Sequence, residues 1–489
     1  MRPHDERTWA RTRRASWLVP AGLLAAILMG CATGEHPRVP EITLPPSYGT
    51  QARNELPPAA LDAWWRSYGD EQLQSLVERS LANGVDAKLA LARLDEARAI
   101  RGQTLSIADA RGAVQGNVER TRNIRLDDGS ASSAAAIAPT TRSQGLSLPI
   151  SWELDLFGRN TTRRDAADAD LAAARFDYEA SRAALAAQVA QTLFEARGLA
   201  ARLDDARANE RIQGALLELL DRRVERGLSA ASEADRVGAE VARSLAQRMG
   251  LEAELHATRR AVLVLAGDGL GPIDRIAADQ GASDGLGAPP GVPATVPGNL
   301  LERRPDVRQA HARVESARAS VRLAELDFFP TLTLQPSIGV SQQRGTFDTR
   351  LAFWTLGAGL NIPVLDRPRL MAALDIQSAR GMQAVVAYEK AVQTAFAEAD
   401  QAFVRLEAAH ERVAILQDGE ARARRAFDAA ETRYRRGLGD LQSLLDAEAA
   451  WRGSRAAFTT AKVDRLLGSV QAFKSLGGGW TAPGADSSE

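Results

Sequence analysis

Residues 146–156 read LSLPISWELDL, so that leucine, isoleucine and tryptophan alternate with serine, proline, glutamate and aspartate. A period of two places all the apolar side chains on one face of a β-strand. The same alternation recurs at 331–341 and 354–364, and more weakly at Ala113–Thr121. Segments of about 9–11 residues with one apolar face are typical of transmembrane barrel strands, although a half-buried sheet in a soluble protein has the same period.

The four segments predict two hairpins, with polar loops at Asn123–Arg142 and Gln342–Arg350. After the N-terminal segment no run of 18 consecutive apolar residues occurs, so a membrane span would have to be a closed β-barrel. Four strands cannot close a barrel, and open strand edges are not tolerated in hydrocarbon. We therefore expect several copies of the chain to share one barrel, and three copies of four strands would give twelve.

Outside the strands the chain is rich in helix-forming residues. Two proline-free segments, Thr161–Arg226 and Arg369–Arg436, predict helices of roughly 100 Å each at about 1.5 Å per residue. Each is followed by a glycine, which is typical of a helix that ends in a left-handed turn. Shorter helices, two of which together match one long helix in length, are predicted at Glu71–Ile107, Ala230–Ala266, Asn299–Asp327 and Asp440–Lys474.

The elements recur in the same order, which predicts an internal two-fold repeat. The predicted fold class is membrane α+β: a β-barrel with four strands per protomer, continuous with a long α-helical barrel. A solvent-exposed coiled coil is the alternative, and it leaves the strand hairpins unexplained. The predicted division is a signal peptide (1–30), an N-terminal anchor and equatorial segment (31–69), the first repeat (70–266), an equatorial linker (267–298), the second repeat (299–474) and a C-terminal tail (475–489).

The N-terminus has the character of a targeting segment, in which a basic leader precedes an apolar run at Trp17–Met29. That run is shorter than the about 20 residues that span a membrane. It leads through Gly30 into Cys31, the only cysteine, and this arrangement resembles the bacterial lipoprotein signal, in which the cysteine is acylated. Ala32 stands where retention at the inner membrane would call for aspartate. We expect a lipid on Cys31; the alternative is an ordinary signal peptide with an incidental cysteine.

Composition argues against several functional classes. Lysine and arginine (61) nearly balance aspartate and glutamate (62), so the chain has no net positive charge that would attract nucleic acid. The five histidines are scattered without partners, which leaves little material for a metal site. Glu153, Asp155 and Asp366 lie at predicted strand ends without a histidine or nucleophile in a recognisable arrangement. We therefore expect no enzymatic activity and no cofactor other than the lipid.

Four segments together resemble the TolC-like outer-membrane factors, most closely the acylated branch that serves RND-type efflux systems, the NodT-like lipoproteins. They are WWRSYGD (64–70), SWELDLFGR (151–159), LLERRPDVR (300–308) and LGGGW (476–480). No one motif would suffice, but the four occur in the family's order across nearly the whole chain.

The resemblance implies a homotrimer in the outer membrane, with a lipid anchor and a large periplasmic portion. Its partners would be a periplasmic adaptor (membrane fusion) protein and an inner-membrane RND-type pump, and the trimer would form a passive conduit to the cell exterior. Two alternatives differ in class: a non-channel periplasmic coiled-coil structural lipoprotein, and a lipid-anchored hydrolase of the envelope.

The resemblance also implies two kinds of working residue. Arg226-Gly227-Leu228 and Arg436-Gly437-Leu438 correspond to the family's tunnel tips, which contact the adaptor; ordinary helix caps are the other interpretation. Asp446 matches an aspartate near the periplasmic constriction, where three copies would form a ring of carboxylates that disfavours anions. A solvated aspartate on a helix face is the alternative.

Overall fold

The computed structural model describes residues 37–38, 41–49, 61–122, 140–276, 286–293, 297–345 and 348–480. The predicted signal peptide and Cys31 lie outside the described residues, as does most of the first predicted loop. The domain division proposed from the sequence stays a prediction.

Helices make up most of the described chain. Two of them contain 67 and 69 residues, and their bounds agree with the predicted ones to within two residues at each end. Among the described residues, no helix combines the length and the apolar composition needed to cross a membrane. The helices are α1 (Glu71–Asn83), α2 (Val85–Leu105), α3 (Arg159–Glu225), α4 (Ala231–Leu265), α5 (Asn299–Arg303), α6 (Pro305–Leu326), α7 (Arg367–Arg435) and α8 (Leu441–Ser475).

Two segments predicted as single helices are each broken in two, so that prediction was wrong. The first breaks at Gly84, where a Cβ atom would lie 2.4 Å from the Ser80 carbonyl oxygen and 3.0 Å from that of Leu265. Only glycine fits so close a backbone approach. The second breaks at Arg304, whose extended backbone (φ −74°, ψ 121°) is the conformation that a following proline favours. Pro305 then occupies the first position of α6, where its missing N–H costs nothing.

The strands form one antiparallel sheet: β1 (Arg111–Gly112), β2 (Gln115–Arg122), β3 (Thr140–Leu154), β4 (Thr331–Arg344) and β5 (Thr349–Asn361). β1 and β2 both pair with β3, β3 pairs with β4, and β4 pairs with β5. The predicted apolar faces are confirmed, but the predicted loop bounds were wrong. β3, β4 and β5 continue into the polar stretches predicted as loops, because Arg142 pairs with Arg344 through the backbone although neither side chain is apolar.

The chain folds into two compact units. The first contains 97–171 and 312–386, and therefore the whole sheet. The second contains 40–96, 172–311 and the chain from 387 onward, and its core includes Trp64 stacked on Phe473 with ring centroids 5.5 Å apart.

The LLERRPDVR and LGGGW motifs meet in the second unit and are structural. Arg304 is 8% exposed, and its guanidinium donates to Asp306 (2.6 Å), Glu398 (2.7 Å) and the Ser475 carbonyl oxygen at the end of α8 (3.1 Å). Trp480 Nε1 donates to the Arg303 carbonyl oxygen at 3.0 Å. The motif arginine therefore caps the last helix and joins the two ends of the second repeat.

Candidate functional site: the turns of the long helices

Two turns in the second unit end the long helices with the same backbone geometry. Gly227 follows α3 with φ +65°, and Gly437 follows α7 with φ +73°. In the first turn Gly227 N donates to the Val224 carbonyl (2.9 Å) and Leu228 N to that of Arg223 (2.8 Å). The second turn repeats both bonds 210 residues later, at 3.0 and 2.8 Å. These pairs of bonds define Schellman motifs, which need a residue in the left-handed region.

The residue after each glycine is an exposed leucine. Leu228 is 66% and Leu438 is 69% exposed. In a Schellman motif this residue commonly packs on the side chain five positions before it, which here is an arginine in both turns. Apart from atoms of the glycine and its neighbours in the chain, no heavy atom lies within 4 Å of where a Cβ would stand on Gly227 or Gly437. Each turn therefore presents a leucine with open space beside it.

The helices that follow the turns begin differently. We call α3 with α4 the first helical pair and α7 with α8 the second. In the second pair the Asp440 carboxylate accepts from the Ser443 backbone N–H at 2.7 Å and from its hydroxyl at 2.8 Å. The backbone N–H of Ser443 lowers the pKa of Asp440 below its ordinary value. In the first pair Ala230 holds the corresponding position, without a side-chain cap.

An apolar cluster next to the turns holds the two pairs together. The Trp451 and Phe427 rings stack with centroids 5.0 Å apart, and Trp451 Nε1 donates to Glu420 at 2.9 Å. Arg223 Nη1 donates to the Tyr434 hydroxyl at 3.1 Å and so links α3 to α7. The buried members of this cluster are Leu220, Val237, Phe427, Tyr434, Leu441, Leu444, Leu445 and Trp451.

A buried polar network crosses the same region and was missed at the sequence level. Ser244 donates to Gln213 (2.6 Å), and Gln213 donates to the Glu448 carboxylate (3.2 Å). Burial raises the pKa of Glu448, and Arg452, whose Nε lies 3.4 Å away, partly opposes that shift. Glu448 lies three and seven positions from Trp451 and Leu441, on the apolar face of α8. That periodicity could have identified it as buried.

The structure places Asp446 on the exposed side of α8, six residues after the Asp440 cap. Its carboxylate accepts from Gln442 Nε2 at 2.7 Å, and Gln442 Oε1 accepts from Arg236 of α4. Asp446 is thereby connected to the first helical pair through one side chain. Neither Gln442 nor Arg236 had been singled out from the sequence.

The described residues contain no cluster of three or more histidine, cysteine, aspartate or glutamate side chains that could hold a metal ion.

The chain is similar to known proteins over most of its length. The family model described as "Outer membrane efflux protein" matches residues 76–268 and 296–478. A pyoverdine export outer membrane protein, OpmQ of Pseudomonas putida, is 30% identical over 467 residues, covering 94% of this chain and 97% of the relative. The cation efflux system protein CusC of Escherichia coli O6:H1 is 27% identical over 466 residues, covering 94% and 97%. The solved outer-membrane channel OprN superposes with a TM-score of 0.78 at 26% identity, covering 92% of this chain and 100% of that one.

Proposed function

The chain belongs to the outer membrane efflux protein family, and from this premise we propose that it works as a homotrimer whose two glycine turns dock on a periplasmic adaptor protein. An inner-membrane pump of the RND type would then deliver cargo through the adaptor into the trimer.

Membership confirms the coarser predictions. The chain is an outer-membrane channel component of an efflux system, with the fold class predicted from its strands and long helices and with a periplasmic portion. The family is one of channels, and we expect the protein to have no catalytic activity of its own.

The exposed leucine in each turn carries the docking proposal. Two Schellman turns with one geometry hold Leu228 and Leu438 away from the protein's own core, at equivalent positions. Exposed apolar side chains in a defined setting are typical of contact surfaces. Ordinary helix caps would explain the glycines but not the duplicated exposure of the leucines.

Replacing both leucines by aspartate tests this role. We expect export and adaptor cross-linking to be lost while the trimer still reaches the outer membrane, because the side chains do not contribute to the core. Gly227→Val and Gly437→Val should have the same effect by distorting the turns. Met249→Asp, at an exposed site on α4, is the matched control. Normal export by the leucine variant, with adaptor still bound, would refute the docking role.

The sheet supports self-association. β2 pairs only with β3, and β5 pairs only with β4, so each copy presents two unpaired strand edges among its described residues. Edges cannot remain open in a membrane, and neighbouring copies would pair them. Native mass spectrometry of the detergent-solubilised protein should give a mass of three chains. We also propose an acylated Cys31 as the anchor, on the sequence signal alone.

We propose further that Asp446 contributes to the periplasmic opening of the trimer. Its exposed carboxylate, repeated in three copies, would favour cations over anions. Asp446→Ala should raise single-channel conductance or lower cation selectivity in planar bilayers, with Asp464→Ala, another exposed carboxylate on α8, as the control. Unchanged conductance and selectivity would remove Asp446 from the opening.

A further inference from the structure

The end of the sheet farthest from the helices carries a row of arginines. The chain enters and leaves helices at the other end, next to Gly112, Leu154, Thr331 and Asn361. At the far end, Arg120 of β2 lies opposite Arg142 of β3, which lies opposite Arg344 of β4. Directly opposed residues in an antiparallel sheet point to the same face, with Cβ atoms about 5 Å apart. Five arginines share this face and form what we call the outer arginine cluster: Arg120, Arg122, Arg142, Arg344 and Arg350.

The cluster lies on the apolar face of the sheet. In β3 the residues that follow Arg142 on this face are Gln144 and then apolar side chains from Leu146 to Leu154. β4 and β5 repeat the pattern, and the face remains exposed, with Trp354 77% and Leu356 70% accessible. An exposed apolar face of this kind in an outer-membrane channel faces lipid. The opposite face at this end carries serine, threonine, glutamine and Glu119 but no strand arginine.

The position of the cluster corresponds to the headgroup layer. From Leu146 to Leu154 the strand is about 26 Å long at about 3.3 Å per residue. With the strand tilted by about 40° from the barrel axis, this length covers about 20 Å of membrane depth. This is comparable to the about 25 Å apolar band of outer-membrane barrels. Arg142 stands four residues beyond Leu146, about 10 Å further out by the same measure. The guanidinium groups therefore lie just outside the hydrocarbon on the side away from the helices.

Among the described residues, positive charge predominates in the outer arginine cluster. With its amide in the orientation that satisfies its neighbours, Gln342 accepts from Arg344 Nε at 3.1 Å and from Arg350 Nε at 3.3 Å. None of the five forms an ion pair with a carboxylate of the described residues, and Asp348 is the only described acidic side chain at this end of the face. Like charges directly opposite each other destabilise a sheet. An external anion would remove that cost.

We propose that the outer arginine cluster binds the phosphorylated headgroups of lipids in the outer leaflet. Arginine presents a planar fork of N–H donors that matches phosphate, and several arginines at the membrane surface bind anionic headgroups cooperatively with the apolar face below them. The proposal rests on the membrane orientation that the channel function gives to the sheet. It does not depend on docking of the adaptor.

The test measures lipid binding by the intact trimer in nanodiscs. The probes are bisphosphorylated lipid A, its dephosphorylated form, and phosphatidylcholine as the background lipid, with bound lipid quantified by native mass spectrometry. We expect preferential retention of the phosphorylated form, weakened by added salt. Single changes such as Arg142→Gln should reduce retention by about fivefold, and the combined change of Arg120, Arg142, Arg344 and Arg350 to Gln by more than about tenfold.

Arg111→Gln is the matched control, since Arg111 lies on the same sheet at the end near the helices. A variant with the four arginines changed to lysine should retain part of the lipid binding. It controls for a failure of the protein to insert into the nanodisc membrane. Equal retention by wild-type protein and the glutamine variant overturns the proposal, and so does equal binding of soluble polyphosphate without lipid. Single-channel conductance of the same samples is read separately, so a failure of the channel function is distinguishable from a failure of lipid binding.

Discussion

The two helical pairs present nearly identical turns but support them with different side chains. At an offset of 210 residues Gly227 corresponds to Gly437 and Leu228 to Leu438, with the same pair of backbone hydrogen bonds. Three aromatic residues of the second pair correspond to aliphatic residues in the first: Phe427 to Leu217, Tyr434 to Val224 and Trp451 to Val241. The turn surface is thus duplicated, while the packing beneath it is not.

The difference predicts unequal local stability. The second pair combines a stacked tryptophan, a side-chain cap at Asp440 and a buried carboxylate, whereas the first pair relies on aliphatic packing and begins α4 without a side-chain cap. Local opening is easiest where buried contacts and capping bonds are fewest. We therefore expect the first pair to open more readily near its turn. The following changes test that ordering.

The largest effect is expected for Trp451→Ala. The ring is 6% exposed, stacks on Phe427 and donates to Glu420, so its removal leaves a cavity and an unpaired acceptor. Loss of a buried tryptophan side chain costs about 3–5 kcal/mol. Hydrogen exchange of the α8 amides should accelerate accordingly, with little change in the first turn of α4.

Val241→Ala is the matched change in the first pair. It removes two partly buried methyl groups and should cost about 1 kcal/mol. If the two substitutions accelerate exchange equally, the aromatic packing does not distinguish the pairs.

Two Glu→Gln changes, one in each helical pair, should cause smaller changes in the melting temperature, of opposite sign. Burial raises the pKa of Glu448 above its ordinary 4.5, so the folded state binds the carboxyl proton more tightly than the unfolded state does. The free energy of unfolding therefore falls as the pH rises from 4.5 through the raised pKa. Glu448→Gln resembles the neutral form and should raise the melting temperature at neutral pH. The gain should disappear as the pH approaches 4.5, where the wild-type carboxyl is itself protonated.

Glu252 of α4 provides the opposite case. Its hydrogen bond from Arg248 (2.8 Å) lowers the pKa of Glu252. The ionised carboxylate therefore stabilises the folded state above pH 4.5, and this stabilisation is lost as the pH falls through the lowered pKa. Glu252→Gln should therefore lower the melting temperature at neutral pH and lose this effect in acid. Shifts of the same sign for both variants would contradict these assignments.

Local sequence signals were sufficient for the long helices and their turns. The absence of proline from 161–226 and from 369–436, together with the glycine that follows each segment, predicted both helices to within two residues at each end. The break at Gly84 could not be foreseen, because it depends on the approach of the Leu265 carbonyl, far away in the chain. The break before Pro305 was readable from the proline itself and was overlooked.

The site was predictable only where its residues are consecutive. Gly227 and Gly437 were found from their own neighbours, but the link from Asp446 through Gln442 to Arg236 joins residues about 200 positions apart. Arg142, Arg344 and Arg350 of the outer arginine cluster fall in segments predicted as loops, since arginine and glutamine at a strand end are typical of solvent-exposed connections. Strand register, which sequence alternation does not specify between distant strands, brings those arginines together.

The smallest effect concerns the start of the return helices, and exchanging the caps tests it. Ala230 and Asp440 both have the extended backbone of an N-cap residue, with ψ of 142° and 160°. Ala230→Asp should therefore provide a carboxylate for the free N–H groups of α4 and slow hydrogen exchange of its first turn by about fivefold, while Asp440→Ala should accelerate exchange in the first turn of α8 by a similar factor. Ser232→Asp, two residues inside α4, controls for the added charge near the helix dipole. If Ala230→Asp protects α4 no more than Ser232→Asp does, the missing cap is not what separates the two turns, and the aromatic packing alone accounts for their difference.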